Sequence, residues 1–142
     1  MPDDLHPVLA TIASWTDDAD LLSSAPGAYA LFIRLGEPRP LSGRFAGRTL
    51  DPGVYIYAGS AHGPGGIAAR CRRHFRRGKA RHWHVDALTE AAAELRAAAV
   101  PGGDECRLWT RIRRLTGAAA PIPGFGSSDC QTCEAHLLRL KL

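Results

Sequence analysis

A small α+β domain, with a short sheet flanked by helices, is the fold this sequence predicts. Three observations predict it. The 142 residues, 45% hydrophobic and 23% charged, suit one core of ordinary size that needs no disulfide staples. Two apolar runs have strand composition and hold all three tyrosines, Tyr29, Tyr55 and Tyr57. After them come stretches with helical spacing and recognisable helix ends.

Residues 8–15 (VLATIASW) read as a short amphipathic helix, followed by an acidic turn and a loop ending at Pro26. Residues 29–35 (YALFIRL) read as a strand closed by Gly36, Pro38 and Pro40. Residues 41–49 are expected as a second strand or extended arm, and Asp51-Pro-Gly53 as a turn. Residues 54–58 (VYIYA) are β-branched and aromatic, hence a strand. After the loop at 62–66, residues 67–77 form a helix with Ile67, Cys71 and Phe75 on one face, stopped by Gly78. Residues 82–88 open another helix. In residues 94–100 alanine favours helix, whereas the short length and the bracketing Pro101-Gly-Gly103 suit a strand. Asp104 is an N-cap for a helix over 105–115 that closes at Gly117. Residues 118–129 are loop and 136–140 a last short element. Residues 1–24 read as an acidic N-terminal helical extension, and 25–142 as a single domain.

Net charge is +4, unevenly spread. Residues 1–26 hold five Asp and no Lys or Arg, which leaves +9 on the remainder. Arg70, Arg72, Arg73, Arg76, Arg77, Lys79 and Arg81 form a basic run with His74, His82 and His84, and no acid stands between Asp51 and Asp86. Such a run can be a solvated helix face, but sixteen of the eighteen basic residues are Arg, which grips phosphate bidentately. Nucleic acid, DNA before RNA, is the expected partner, with Arg72, Arg73, Arg76, Arg77, Lys79 and Arg81 on its backbone. No apolar run approaches the ~20 residues of a membrane span, and the start is acidic where a secretory signal is basic. A cytoplasmic protein with no membrane partner is expected. There is no helix-turn-helix and no aromatic single-strand platform, so selectivity would come from substrate shape or a targeting protein partner.

The tyrosine strands and the Arg/His helix carry the chemistry. Gly27-Ala-Tyr29, Tyr57-Ala-Gly59 with Ser60-Ala61, and Arg70-x-x-x-His74-Phe75 stand in order, and Arg70 and His74 share a helical face. In these motifs, over residues 27–105, the chain resembles the GIY-YIG nuclease superfamily. Tyr55-Ile-Tyr-Ala-Gly-Ser-Ala61, His82-Trp-His-Val-Asp86, Glu105-Cys106, Phe125-Gly-Ser-Ser-Asp-Cys130 and His136-Leu137 look closest to a small branch sometimes fused to endonuclease-III-type glycosylases.

The resemblance implies a small, mostly antiparallel sheet of three or slightly more strands flanked by helices. It also implies a divalent-metal-dependent endonuclease. Phosphodiester hydrolysis needs an activated water, a polarised phosphorus and relief of charge on the leaving oxygen. Mapped by resemblance, Tyr29 is the general base or water-orienting group and Tyr57 lies beside the phosphate. Arg70 stabilises the transition state, and His74 with His82 or His84 assists at the water or leaving group. Glu105 holds Mg²⁺ or Mn²⁺. Each residue alone also has a structural reading: core phenols, a surface Arg, a first-turn acid on a helix dipole. A binding module on the same scaffold without turnover is the alternative function. Many family members place an Asn near the site; this chain has none, and Ser127, Ser128 or Asp129 could fill its place.

Cys130-x-x-Cys133-x-x-His136, with Cys106, has the ligand types and spacing of a structural Zn²⁺ site. A lone CxxC is a weak signal for one. Buried apolar Cys71 and Cys106 with free terminal thiols are the other reading, and a zinc- or thiol-linked interaction protein the third function weighed.

Overall fold

The computed structural model describes residues 7–80, 84–122, 125 and 136–140. Its elements are α1 (Pro7–Ile12), β1 (Gly27–Leu35), β2 (Arg39–Pro40), β3 (Thr49–Leu50), β4 (Gly53–Ala61), α2 (Gly66–Phe75), α3 (Asp86–Ala91), β5 (Glu94–Pro101), α4 (Glu105–Thr116) and β6 (Leu137–Arg139). The fold is α+β. A four-stranded antiparallel sheet runs in the order β5-β1-β4-β6, and β2 and β3 form a separate two-stranded ribbon.

Strand alternation divides the core into two layers. Tyr29, Leu31, Ile33 and Leu35 of β1 and Tyr55 and Tyr57 of β4 face Ile67 and Cys71 of α2 and Leu88 of α3. Ala28, Ala30 and Phe32, with Val54, Ile56 and Ala58, face Leu108, Trp109 and Ile112 of α4. The N-terminal segment is part of this second layer. Leu9 and Trp15 are buried in it, Trp15 Nε1 donates to the Leu9 carbonyl at 2.9 Å, and Thr16 exchanges backbone bonds with Ala97 on the edge strand β5.

Residues 41–49 and α2 differ from the sequence expectation, and β5 settles a choice the sequence left open. Residues 41–49 are no strand: β2 and β3 pair for two residues each around a 3-10 turn at Gly43–Phe45. Helix α2 stops at Phe75, two residues early, because Arg76 turns extended (φ −72°, ψ 130°). The ambiguous stretch is strand β5, with Ala97 and Ala98 buried between the layers. Helix α4 follows its caps: the Asp104 carboxylate accepts from Arg107 N at 2.9 Å, and Gly117 closes the helix in the left-handed region at φ 70°. No helix among the described residues is long and apolar enough to cross a membrane.

Candidate active site

The β1–β4 register sets Tyr29 opposite Gly59. A Cβ at Gly59 would lie 2.4 Å from the Tyr29 hydroxyl oxygen and 2.4 Å from Cζ. The glycine of Tyr57-Ala-Gly59 is therefore the seat for the Tyr29 ring, which explains physically why the two motifs occur together. Helix α2 lies on the same face of the sheet. His74 projects from it so that its Nε2 is 2.7 Å from Tyr29 Oη, and its ring is edge-on to Tyr57 at 6.4 Å between centroids. One turn earlier Arg70 Nη1 donates to the Ser60 carbonyl at 3.0 Å, at the end of β4.

The electrostatics of this group are tightly linked. Burial pushes the Tyr29 phenol well up; the Tyr57 and Cys71 side chains add to that, and the Arg70 guanidinium opposes it through its charge and a hydrogen bond. A guanidinium only donates. Tyr29 Oη therefore accepts from Arg70 and shares a hydrogen bond with Nε2 of a neutral His74 imidazole. Burial enforces that state. It lowers His74 from its usual 6.5 to about 3, with Arg73, Lys79 and Arg70 pushing the same way and Asp86 against. Tyr57 is raised by burial first and by the negative charge of Glu105 second, with Arg70 again opposing. Of the two phenols Tyr57 is the more accessible, 7% exposed against 1%.

Glu105 opens α4 at the end of the second layer. Its Oε2 lies 3.6 Å from His136 Nδ1, just before β6, and β6 pairs with β4 at Tyr57. The structure thus brings Tyr29, Tyr57, Arg70 and His74 together and sets Glu105 within electrostatic reach of Tyr57.

It does not bring His84 there. That ring packs edge-on against Phe45 at 4.8 Å and beside Phe125 at 5.7 Å, and burial, followed by Arg44, lowers its pKa. The ribbon of β2 and β3 supplies Phe45, so His84, expected to assist at the water, is part of an aromatic cluster.

Part of the basic run is engaged within the domain. Arg73 grips the buried Asp86 with two bonds of 2.9 Å and donates to the Ala80 carbonyl. Arg77 donates to the carbonyls of Thr89, Glu90 and Ala92, closing the end of α3. Lys79, its side chain 1% exposed, donates to the carbonyls of His74 and Arg76 and pairs with Glu90 at 3.3 Å. These three cations, expected on the nucleic-acid backbone, tie α2 to α3. Arg72 and Arg76 are exposed, and Arg72 pairs with Asp20 at 2.7 Å. The signal for the ties is in the sequence: Asp86 and Glu90 are the first acids after the run.

Cys106 Sγ lies 3.6 Å from His136 Nε2. Cys106 and His136, two of the four residues of the expected Zn²⁺ set, are thus neighbours. Cys71 is free and buried, its thiol pushed up to about 12. Arg81, His82, Ser127, Ser128, Asp129, Cys130 and Cys133 lie outside the described residues.

A family described as a domain of unknown function, DUF123, matches residues 28–142. The chain belongs to the DUF123 family. The matched span includes Tyr29, Tyr57, Arg70, His74 and Glu105, so the whole candidate site lies within the DUF123 domain. No curated protein and no solved structure matches the chain. Among the described residues of this DUF123 domain, no three His, Cys, Asp or Glu side chains converge as metal ligands. One half-exposed carboxylate, Glu105, fits a hard cation such as Mg²⁺, which keeps its waters and takes one or two carboxylates plus substrate phosphate oxygens.

Proposed function

We propose that this protein is a divalent-metal-dependent endonuclease that hydrolyses phosphodiester bonds in nucleic acid, with DNA as substrate, through a GIY-YIG-like site. The single observation that carries this reading is the linked group of Arg70, Tyr29 and His74, with Tyr57 beside it and under the charge of Glu105. A phosphate entering at Tyr57 meets the Arg70 guanidinium, which donates to its non-bridging oxygens and stabilises the more negative transition state. The Tyr29–His74 pair holds Arg70 at that position. Tyr57 orients a water that attacks phosphorus as the P–O bond to the leaving oxygen breaks; the water gives up its proton to solvent and the leaving oxygen takes one from solvent. The raised pKa of Tyr57 keeps its phenol protonated at neutral pH, so solvent rather than Tyr57 takes the water's proton and cleavage should speed up as pH rises. Mg²⁺ or Mn²⁺, when held by Glu105, supplies Lewis-acid polarisation of the phosphate.

The burial of Tyr29 and His74 favours a second reading, in which the pair is structural and the protein binds nucleic acid without cutting it. Incubation of the purified chain with single-stranded, nicked, flapped and branched DNA in Mg²⁺ or Mn²⁺ separates the two. The nuclease reading expects nicking that Glu105→Ala abolishes, with binding retained within a few fold. Binding without nicking of any substrate selects the second reading.

A further inference from the structure

We propose that the solvent face of α4 is a second nucleic-acid surface, taking a phosphodiester backbone on the side of the helix away from the tyrosine site. Arg107, Arg111 and Arg114 are exposed and spaced i, i+4, i+7. That spacing makes one stripe about 10 Å long, turned about 200° around the helix from Glu105. The stripe borders a groove of about 790 Å³, together with Thr11 of α1 and Thr110. Arginine and threonine are common donors to phosphate oxygens. None of the three arginines pairs with a carboxylate among the described residues. The acid that lines the groove, Asp104, is occupied as the helix N-cap. Arg113, off the stripe, is instead stacked on Trp109 at 5.2 Å.

Helix stability does not account for the stripe. Arg107 sits in the first turn of α4, where a cation opposes the helix dipole. Arg107 and Arg111 repel each other at i, i+4. A local rule broken in this way, with no carboxylate partner among the described residues to offset it, marks a surface shaped for something outside it. Over about 10 Å a duplex presents about six charges, which suits a row of three cations. The ligand class rests on the phosphodiester reading; the charge and its placement do not.

The test measures binding of a fluorescein-labelled 20-base-pair DNA duplex to the full chain by anisotropy across a salt series. Arg107→Gln/Arg111→Gln/Arg114→Gln is expected to weaken binding tenfold or more. It should also lower the salt slope by about 2 to 3, since each lost phosphate contact removes about 0.9. The triple variant should melt no lower than wild type, because repulsion has been removed, and the matching Lys triple should keep the slope. An unchanged slope in the Gln variant overturns the proposal. Equal competition per charge by poly-glutamate also overturns it and assigns the face to an acidic protein segment. Nicking in Mn²⁺ is read in parallel. Nicking with an unchanged slope sinks this proposal and leaves the nuclease reading standing. A lowered slope without nicking does the reverse, and absence of all binding at low salt removes both.

Discussion

Helices α2 and α4 are both rich in arginine, and they use it in opposite ways. Around α2 the charges are turned inward: Arg73 holds Asp86, Arg77 closes the end of α3, and Arg70 braces Ser60 and the Tyr29 phenol. On α4, Arg107, Arg111 and Arg114 face solvent with no acid partner among the described residues. The difference lies in the neighbours that each helix acquires in space. Asp86 and Glu90 of α3 fold back against α2, whereas among the described residues the outer side of α4 is met by α1 and its Thr11. A basic run is thus no measure of a basic surface; the acids within reach decide.

The sharpest way to break this comparison is Asp86→Ala. It takes the buried carboxylate away from Arg73 and should cost about 3–5 kcal/mol in urea unfolding. Arg107→Ala on α4 should stay within about 0.5 kcal/mol. Similar losses for the two would end the distinction.

Acid titration sharpens it next. His74 beneath α2 titrates at 6.5 when unfolded and about 3 when folded, so between those values the unfolded chain binds the extra proton. Its contribution to stability is fully present above pH 6.5 and falls by about 1.4 kcal/mol per unit as pH drops toward 3. His74→Gln should flatten that part of the stability–pH curve; an unaltered slope would contradict a neutral buried imidazole.

Gly59→Ala comes third. The added methyl meets the Tyr29 ring and should destabilise by about 1–3 kcal/mol, with loss of the Tyr29–His74 hydrogen bond visible by NMR. A variant as stable as wild type would show that the ring has room. The smallest effect belongs to Asp20→Asn. The Asp20–Arg72 pair is exposed, so stability should change by less than about 1 kcal/mol, while release of Arg72 should tighten DNA binding two- to threefold at low salt. Unchanged affinity would show that the acidic segment does not compete with nucleic acid.

Much of the fold was legible in the sequence because local chemistry determined it. Strands β1 and β4 announce themselves by β-branched and aromatic residues, and α4 by Asp104 and Gly117. What escaped depends on pairing at a distance. Leu137–Arg139 is a strand only because β4 offers it an edge, and residues 41–49 bend into a ribbon that supports Phe45 beneath His84. In the site, the i, i+4 spacing announced that Arg70 and His74 share a face, and the motif order announced both tyrosines. The direct bond from Tyr29 to His74, and the seat that Gly59 provides for it, needed the register of β1 on β4. The inward turn of Arg73, Arg77 and Lys79 needed the α2–α3 turn. The contacts of His84 with Phe45 and Phe125 were hidden for the same reason, since neither ring is near it in sequence.

Single-turnover cleavage of a branched DNA in Mn²⁺ tests the central claim most directly, with wild type, Arg70→Ala and Arg72→Ala compared side by side. Wild type should nick the DNA, Arg70→Ala should be slower by about 10² to 10³, and Arg72→Ala should remain within about threefold, since each differs from the other only in which way its guanidinium faces. No nicking by wild type, or equal loss in the two variants, would contradict the account.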